Sequence, residues 1–198
     1  MRHILHGLVQ VMDPYISRRS NPLTDTLCWE GMVRASRLLL RIYHQGNNAW
    51  ACVDIALIRL FGGLALVNAG LAAVHGFAAV LGGMFPAPYS VPCGRFLQYV
   101  MASNVPALQE RLPGSGPLRR YEEIARILTR FSTPAAMDRI LRVEQLCASL
   151  QVPSLASYGM MMADLPILIE KVSVGSSMQR NAIQLPREEM WEILAQAL

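Results

Sequence analysis

The chain predicts an all-α protein, a multi-helix domain of about eight or nine helices spanning residues 1–198. Three observations carry that expectation. Apolar residues recur at three- and four-residue spacing through most of the sequence. No run of four to eight β-branched residues alternates with polar ones as a half-buried strand would. Helix start and stop signals punctuate the chain, and no repeat of fixed period is superimposed on them. The length suits one ordinary domain with a sizeable core. Pro113-Gly114-Ser115-Gly116-Pro117 is the strongest linker, so any subdivision is expected near 112–118.

A first apolar segment covers residues 4–15 and continues to Ser17. Asn21-Pro22-Leu23-Thr24-Asp25 opens the second helix. The Asn side chain can accept from first-turn N–H groups, and proline at the first helical position sacrifices no needed donor. This helix carries Leu27, Val33, Leu38 and Leu39 towards Tyr43, and His44-Gln45-Gly46-Asn47-Asn48 stops it. Residues 50–67 form the third helix and 71–81 the fourth, which holds His75; a loop over 82–88 follows. Pro92 opens a fifth through Phe96, Leu97, Val100 and Met101, which Pro106 should kink or divide. Tyr121, Ile124, Ala125 and Leu128 mark the next, and Ser132-Thr133-Pro134 starts one that passes Ile140, Leu141 and Leu146 and ends before Pro153. Residues 164–174 and 187–198 supply two more.

Composition narrows the function classes. The chain is 53% hydrophobic and 16% charged, with a formal charge of +4, which argues against disorder. Arg18-Arg19 and Arg119-Arg120 are the only basic doublets, and no interleaved aromatics accompany them, so no nucleic-acid partner is expected. Cys28, Cys52, Cys93 and Cys147 form no Cys-x-x-Cys pair and sit among apolar neighbours. They read as buried free thiols in a reducing compartment, and with no signal-peptide pattern at the N-terminus the expected location is cytoplasmic. Residues 60–84 lack any Asp, Glu, Lys or Arg and are long enough to span a bilayer. Six glycines, Asn68 and His75 interrupt them, and alanine dominates the apolar content. A buried helix pair is therefore expected, not a membrane span.

Val74-His75-Gly76-Phe77 followed by Leu81-Gly82-Gly83-Met84-Phe85-Pro86-Ala87-Pro88 places a histidine in a small-residue helix ahead of a glycine-rich turn and a Pro-x-Pro. This segment resembles the metal-binding core of the iron-containing alcohol dehydrogenases. Leu8-Val9-Gln10-Val11-Met12-Asp13-Pro14-Tyr15-Ile16-Ser17 with Ser20-Asn21-Pro22-Leu23-Thr24-Asp25 looks like the opening of that family's C-terminal helical domain. Gly62, Leu66 and Asn68-Ala69-Gly70-Leu71, Tyr99-Val100-Met101-Ala102-Ser103-Asn104, Val152-Pro153-Ser154-Leu155, Tyr158-Gly159, Ser176-Ser177-Met178 and Asn181 follow in the family's order. The resemblance implies a dehydroquinate-synthase-like helical domain. In the family it faces a nucleotide-binding α/β domain, with NAD(P) and the metal in the cleft between them. No Gly-x-Gly-x-x-Gly follows a strand here. The N-terminal nucleotide-binding domain is accordingly expected to be absent, and no catalytic or cofactor-binding residue is assigned.

The metal ligands implied by the resemblance are an Asp and a His four residues apart on one helix face, then two further histidines. Aligned on Pro14-Tyr15, the Asp place holds His6 and the first His place holds Gln10. His75 matches the third place, Tyr89 takes the fourth, and Ala79 replaces a further family histidine. Two readings stay open. Imidazoles from His6 and His75, a Tyr89 phenolate and the Gln10 oxygen form a weakened metal site, although a phenol must first lose a proton of ordinary pKa about 10. Alternatively His75 is a buried histidine satisfied by backbone or by Tyr89, and His6 is a helix-end residue. Asp13, Asp25 and Asp54 read as helix-face or capping acids, and Met160-Met161-Met162 as packing. The expected function is a truncated or degenerate helical domain without independent dehydrogenase activity. The alternative is the helical half of a split, metal- and NAD(P)-dependent alcohol dehydrogenase. Iron or zinc and NAD(P) then enter only with an assembly, whose partner is a nucleotide-binding protein or a second copy of the chain.

Overall fold

The computed structural model describes residues 2–44, 49–129 and 152–198. Among them are nine α-helices, two short 3-10 turns and no strand, so the all-α expectation holds. The helices are α1 (Arg2–Ile16), α2 (Pro22–His44), α3 (Ala49–Ala69), α4 (Ala73–Met84), α5 (Ser90–Arg111) and α6 (Gly116–Thr129). After the 3-10 turns Leu155–Tyr158 and Met162–Asp164 come α7 (Leu165–Ser173), α8 (Ser176–Gln179) and α9 (Arg187–Ala197). The helix expected to start at Ser132 lies outside the described residues.

α1 is central. Leu5, Leu8, Val9, Val11, Met12, Tyr15 and Ile16 form one broad buried face, and Gly7, Asp13, Pro14 and Ser17 are buried as well, so the helix is enclosed beyond its apolar side. It packs against α2, α3, α4, α5 and α6. α2 starts as the Asn-Pro signal predicts. The Thr24 N–H donates to Asn21 Oδ1 at 3.1 Å, and the Asn21 N–H donates back to Thr24 Oγ1 at 3.0 Å, satisfying donors that a helix start leaves open. α4 and α5 pack together through stacked Phe77 and Phe96, whose ring centroids are 5.1 Å apart.

The turn between α3 and α4 fixes the site, and α1 holds both of its ends. Gly70 adopts φ +72°, the left-handed conformation that ends a helix cheaply only without a Cβ. A Cβ there would also fall 2.7 Å from Arg180 Cδ. Ser17 at the end of α1 donates to the last carbonyl of α3, Ala69 O, at 2.8 Å. Asp13, one helical turn earlier, reaches the first turn of α4.

A second buried polar group ties the C-terminal part to this frame. Asn104 Nδ2 donates to Tyr121 Oη at 2.7 Å and to Asn181 Oδ1 at 3.1 Å, and Asn181 Nδ2 returns a bond to Asn104 Oδ1 at 2.9 Å. At the surface of α6, Arg120 grips Asp25 through two bonds of 2.6 and 2.7 Å and lies over the Tyr15 ring.

Some expectations need correction. α4 runs past Gly82 to Met84, because the Phe85 N–H still reaches Leu81 O at 2.9 Å; two glycines weaken a helix without ending it. α5 continues through Pro106, with Val105, Ala107 and Leu108 buried around it, so the proline does not divide the helix. Cys52 is exposed, not buried. The apolar stretch 60–84 folds as two helices, of which α4 is buried as expected and α3 is not. By length and composition alone α3 is able to cross a bilayer, and only 17% of its most apolar window is buried. Val53, Leu60, Leu64 and Val67, spaced seven, four and three apart, share one outward face.

Candidate metal centre

α4 begins without a cap of its own: Ala72 stands at the N-cap position and offers no side-chain acceptor. Asp13 supplies one from α1. Its Oδ2 accepts from the Ala72 N–H at 3.2 Å and the His75 N–H at 3.0 Å. The same oxygen lies 2.8 Å from His75 Nδ1. With a carboxylate at this position Nδ1–H donates to Asp13 Oδ2, which leaves Nε2 with the lone pair. Asp13 is 1% exposed and His75 3%, so a carboxylate removed from water is compensated by three N–H groups and a helix N-terminus.

This corrects the reading of His75, whose partner is neither Tyr89 nor only backbone. The capping role expected for Asp13 is real, but it is exercised on a different helix. A sequence signal existed. Asp13 lies seven residues after His6, two turns along one helix face, so both project toward the same neighbours.

His6, His75 and Tyr89 converge. Ring centroids lie 6.1 Å apart for His6 and His75, 5.7 Å for His6 and Tyr89, and 6.3 Å for His75 and Tyr89. The Gln10 side chain lies against Gly62 of α3, where a Cβ would fall 2.7 Å from Gln10 Cγ. Tyr89, at the start of α5, is 41% exposed and forms the rim. Burial of its phenol first, then the proximity of Cys93 and Asp13, raises its pKa to about 12. It therefore stays protonated at neutral pH.

Cys93 was not expected to take part. It is fully buried one turn into α5, four residues after Tyr89 and hence on the same face. One donor atom each from His6, His75 and Cys93 lies within 4.8 Å of the others. Burial first, then Asp13, pushes the Cys93 thiol up, so it is neutral without a cation. The i, i+4 pairing of Tyr89 with Cys93 was the signal available in the sequence.

The comparisons with known proteins give the family. The model of the Fe-containing alcohol dehydrogenase family, C-terminal part, matches residues 4–198. The chain belongs to that family. It is 27% identical to the 1,3-propanediol dehydrogenase of Klebsiella pneumoniae over 98% of its own length and 49% of that protein. It is 26% identical to alcohol dehydrogenase 4 of Saccharomyces cerevisiae, over 98% of this chain and 49% of the yeast protein. Among solved structures, the alcohol dehydrogenase from Oenococcus oeni superposes with a TM-score of 0.83 at 26% identity, over 98% of this chain and 50% of that one. The chain thus spans about half the length of the curated relatives it matches. For an Fe-containing alcohol dehydrogenase C-terminal domain, the all-α fold is as the sequence motifs implied.

Proposed function

We propose that these 198 residues supply the helical half of an Fe-containing alcohol dehydrogenase architecture in which iron-dependent hydride transfer has been lost. The supporting observation is the donor set around His75. Iron(II) in proteins favours carboxylate and imidazole ligands. Here Asp13, a carboxylate beside His75 among the described residues, is committed to His75 and the start of α4. An uncharged amide stands at Gln10 where the resemblance implies a histidine, and the Tyr89 phenol keeps its proton. The residues present do not fit the family's iron.

The reading is tested by anaerobic incubation with Fe²⁺, followed by assay of bound iron and of alcohol-dependent NAD(P)⁺ reduction. The wild type should retain far less than one iron per chain and produce no NAD(P)H. The triple variant His6→Asp/Gln10→His/Tyr89→His, which restores the implied ligands, should retain roughly one iron per chain. Stoichiometric iron in the wild type together with NAD(P)H formation would overturn the proposal.

A second reading is favoured by α3. Val67 is 84% exposed, and Val53, Leu60 and Leu64 continue its apolar face. Such a stripe is the usual mark of a surface that a protein partner covers. A nucleotide-binding protein or a second copy of the chain is the partner this reading names. Sedimentation of wild type against Leu60→Glu/Val67→Glu separates the second copy from the other: self-association lost in the variant supports a homo-oligomer, and a monomeric wild type rules it out.

A further inference from the structure

We infer that His6, His75 and Cys93 form a binding site for a thiophilic divalent cation of the zinc class, resting on the reading that the family's iron place has been rebuilt. The three donors come from three different helices, α1, α4 and α5, which pack on one another and hold them together. Two are buried to 3% or less and His6 is partly buried beside them.

The geometry suits a small tetrahedral ion. The donor atoms lie within 4.8 Å of one another. Zinc held at about 2.0–2.1 Å from nitrogen and 2.3 Å from sulfur needs donors roughly 3.3–3.7 Å apart. Closing the difference takes around 1 Å of side-chain movement. Two imidazoles and one thiolate would leave a fourth position for water or a ligand, and the half-exposed Tyr89 ring lies 5.7 Å from His6 and 6.3 Å from His75.

The chemistry discriminates among metals. A thiolate ligand selects zinc, cobalt or copper(I) over ions that prefer carboxylates, such as magnesium or manganese. On binding, the Cys93 Sγ–H bond breaks, its proton goes to solvent, and the sulfur lone pair forms the bond to the ion. The dipositive ion is then balanced by the Cys93 thiolate and by Asp13 behind His75, so the buried site carries no net charge. Asp13 on Nδ1 gives the carboxylate–histidine–metal relay that orients an imidazole and raises its basicity.

The test is titration with Zn²⁺ and, separately, Co²⁺ on the full chain, followed by equilibrium dialysis and absorption. The expected result is one tightly held ion per chain, with a sulfur-to-cobalt charge-transfer band and the intense visible bands of tetrahedral Co²⁺. Cys93→Ser should remove the charge-transfer band while leaving the helical circular dichroism intact, and His6→Ala should lower affinity at least as much as loss of an outer partner, about 10- to 100-fold. Cys52→Ser, a change at an exposed thiol, should alter neither. Absence of stoichiometric Zn²⁺, or a charge-transfer band that survives Cys93→Ser, would overturn the inference. Alcohol-dependent NAD(P)⁺ reduction by the iron-loaded chain would overturn the functional reading instead, so the two failures are distinguishable.

Discussion

Cys28 and Cys93 are alike in burial and in protonation. Each sits in a helix among apolar residues, each is a free thiol with no measurable exposure, and burial raises the pKa of both. Their surroundings differ. Cys28 on α2 has the Asp25–Arg120 ion pair as its charged neighbours, a pair already satisfied internally. Cys93 faces two imidazoles, one of them fixed by Asp13. A buried thiol becomes a ligand only where other donors converge on it; otherwise it is a small apolar residue.

The largest effect that bears on this contrast is expected at Asp13, because that residue separates the two environments. Asp13→Ala would leave the N–H groups of Ala72 and His75 and the Nδ1 proton of His75 unpartnered in the interior. Each buried, unsatisfied donor costs on the order of 1–3 kcal/mol, so a loss of roughly 3–5 kcal/mol is expected in urea unfolding. Typical domain stabilities are about 5–15 kcal/mol, so the variant should fold marginally. A loss below about 1 kcal/mol would mean that water reaches these groups and that the His75 pocket is open from behind.

Zinc gives the next largest effect and addresses the two thiols directly. With free Zn²⁺ about a hundred-fold above Kd, a protein that binds it only when folded gains about 2.7 kcal/mol. Wild type and Cys28→Ala should both show this rise in thermal midpoint, and Cys93→Ser should not. Equal stabilisation of all three would place the ion elsewhere and erase the distinction between the cysteines.

How much of this was legible in the sequence depends on whether the deciding contact is local. The Asn21–Thr24 cap was, because the side chain bonds a backbone group three residues away. The burial of His75 was too, since its own helix is apolar all round. Its partner was not: Asp13 is 62 residues distant, and only the packing of α1 on α4 brings it there. Cys93 was half-legible, as the residue four beyond Tyr89 on one helix face. α3 misled because a continuous apolar helix reads the same whether a core or a partner covers it.

The smallest effect tests the bland member of the pair. The Cys28 thiol is raised from 9.0 to about 12, first by burial and then by Asp25, with Arg120 opposing. The folded state thus holds its proton more tightly than the unfolded chain does. The stability this contributes is fully present below about pH 9 and is lost as pH rises toward 12. Between about pH 8 and pH 10 the loss attributable to Cys28 is about 1.4 kcal/mol, one pKa unit of linkage. Tyr15 and Tyr121 are raised too and add to the alkaline limb of any variant, so the informative quantity is the difference between wild type and Cys28→Ala. That difference should narrow in urea melts as pH rises over this interval. If it stays constant, Cys28 ionises in the folded protein as readily as in the unfolded one, and its resemblance to a plain core residue fails.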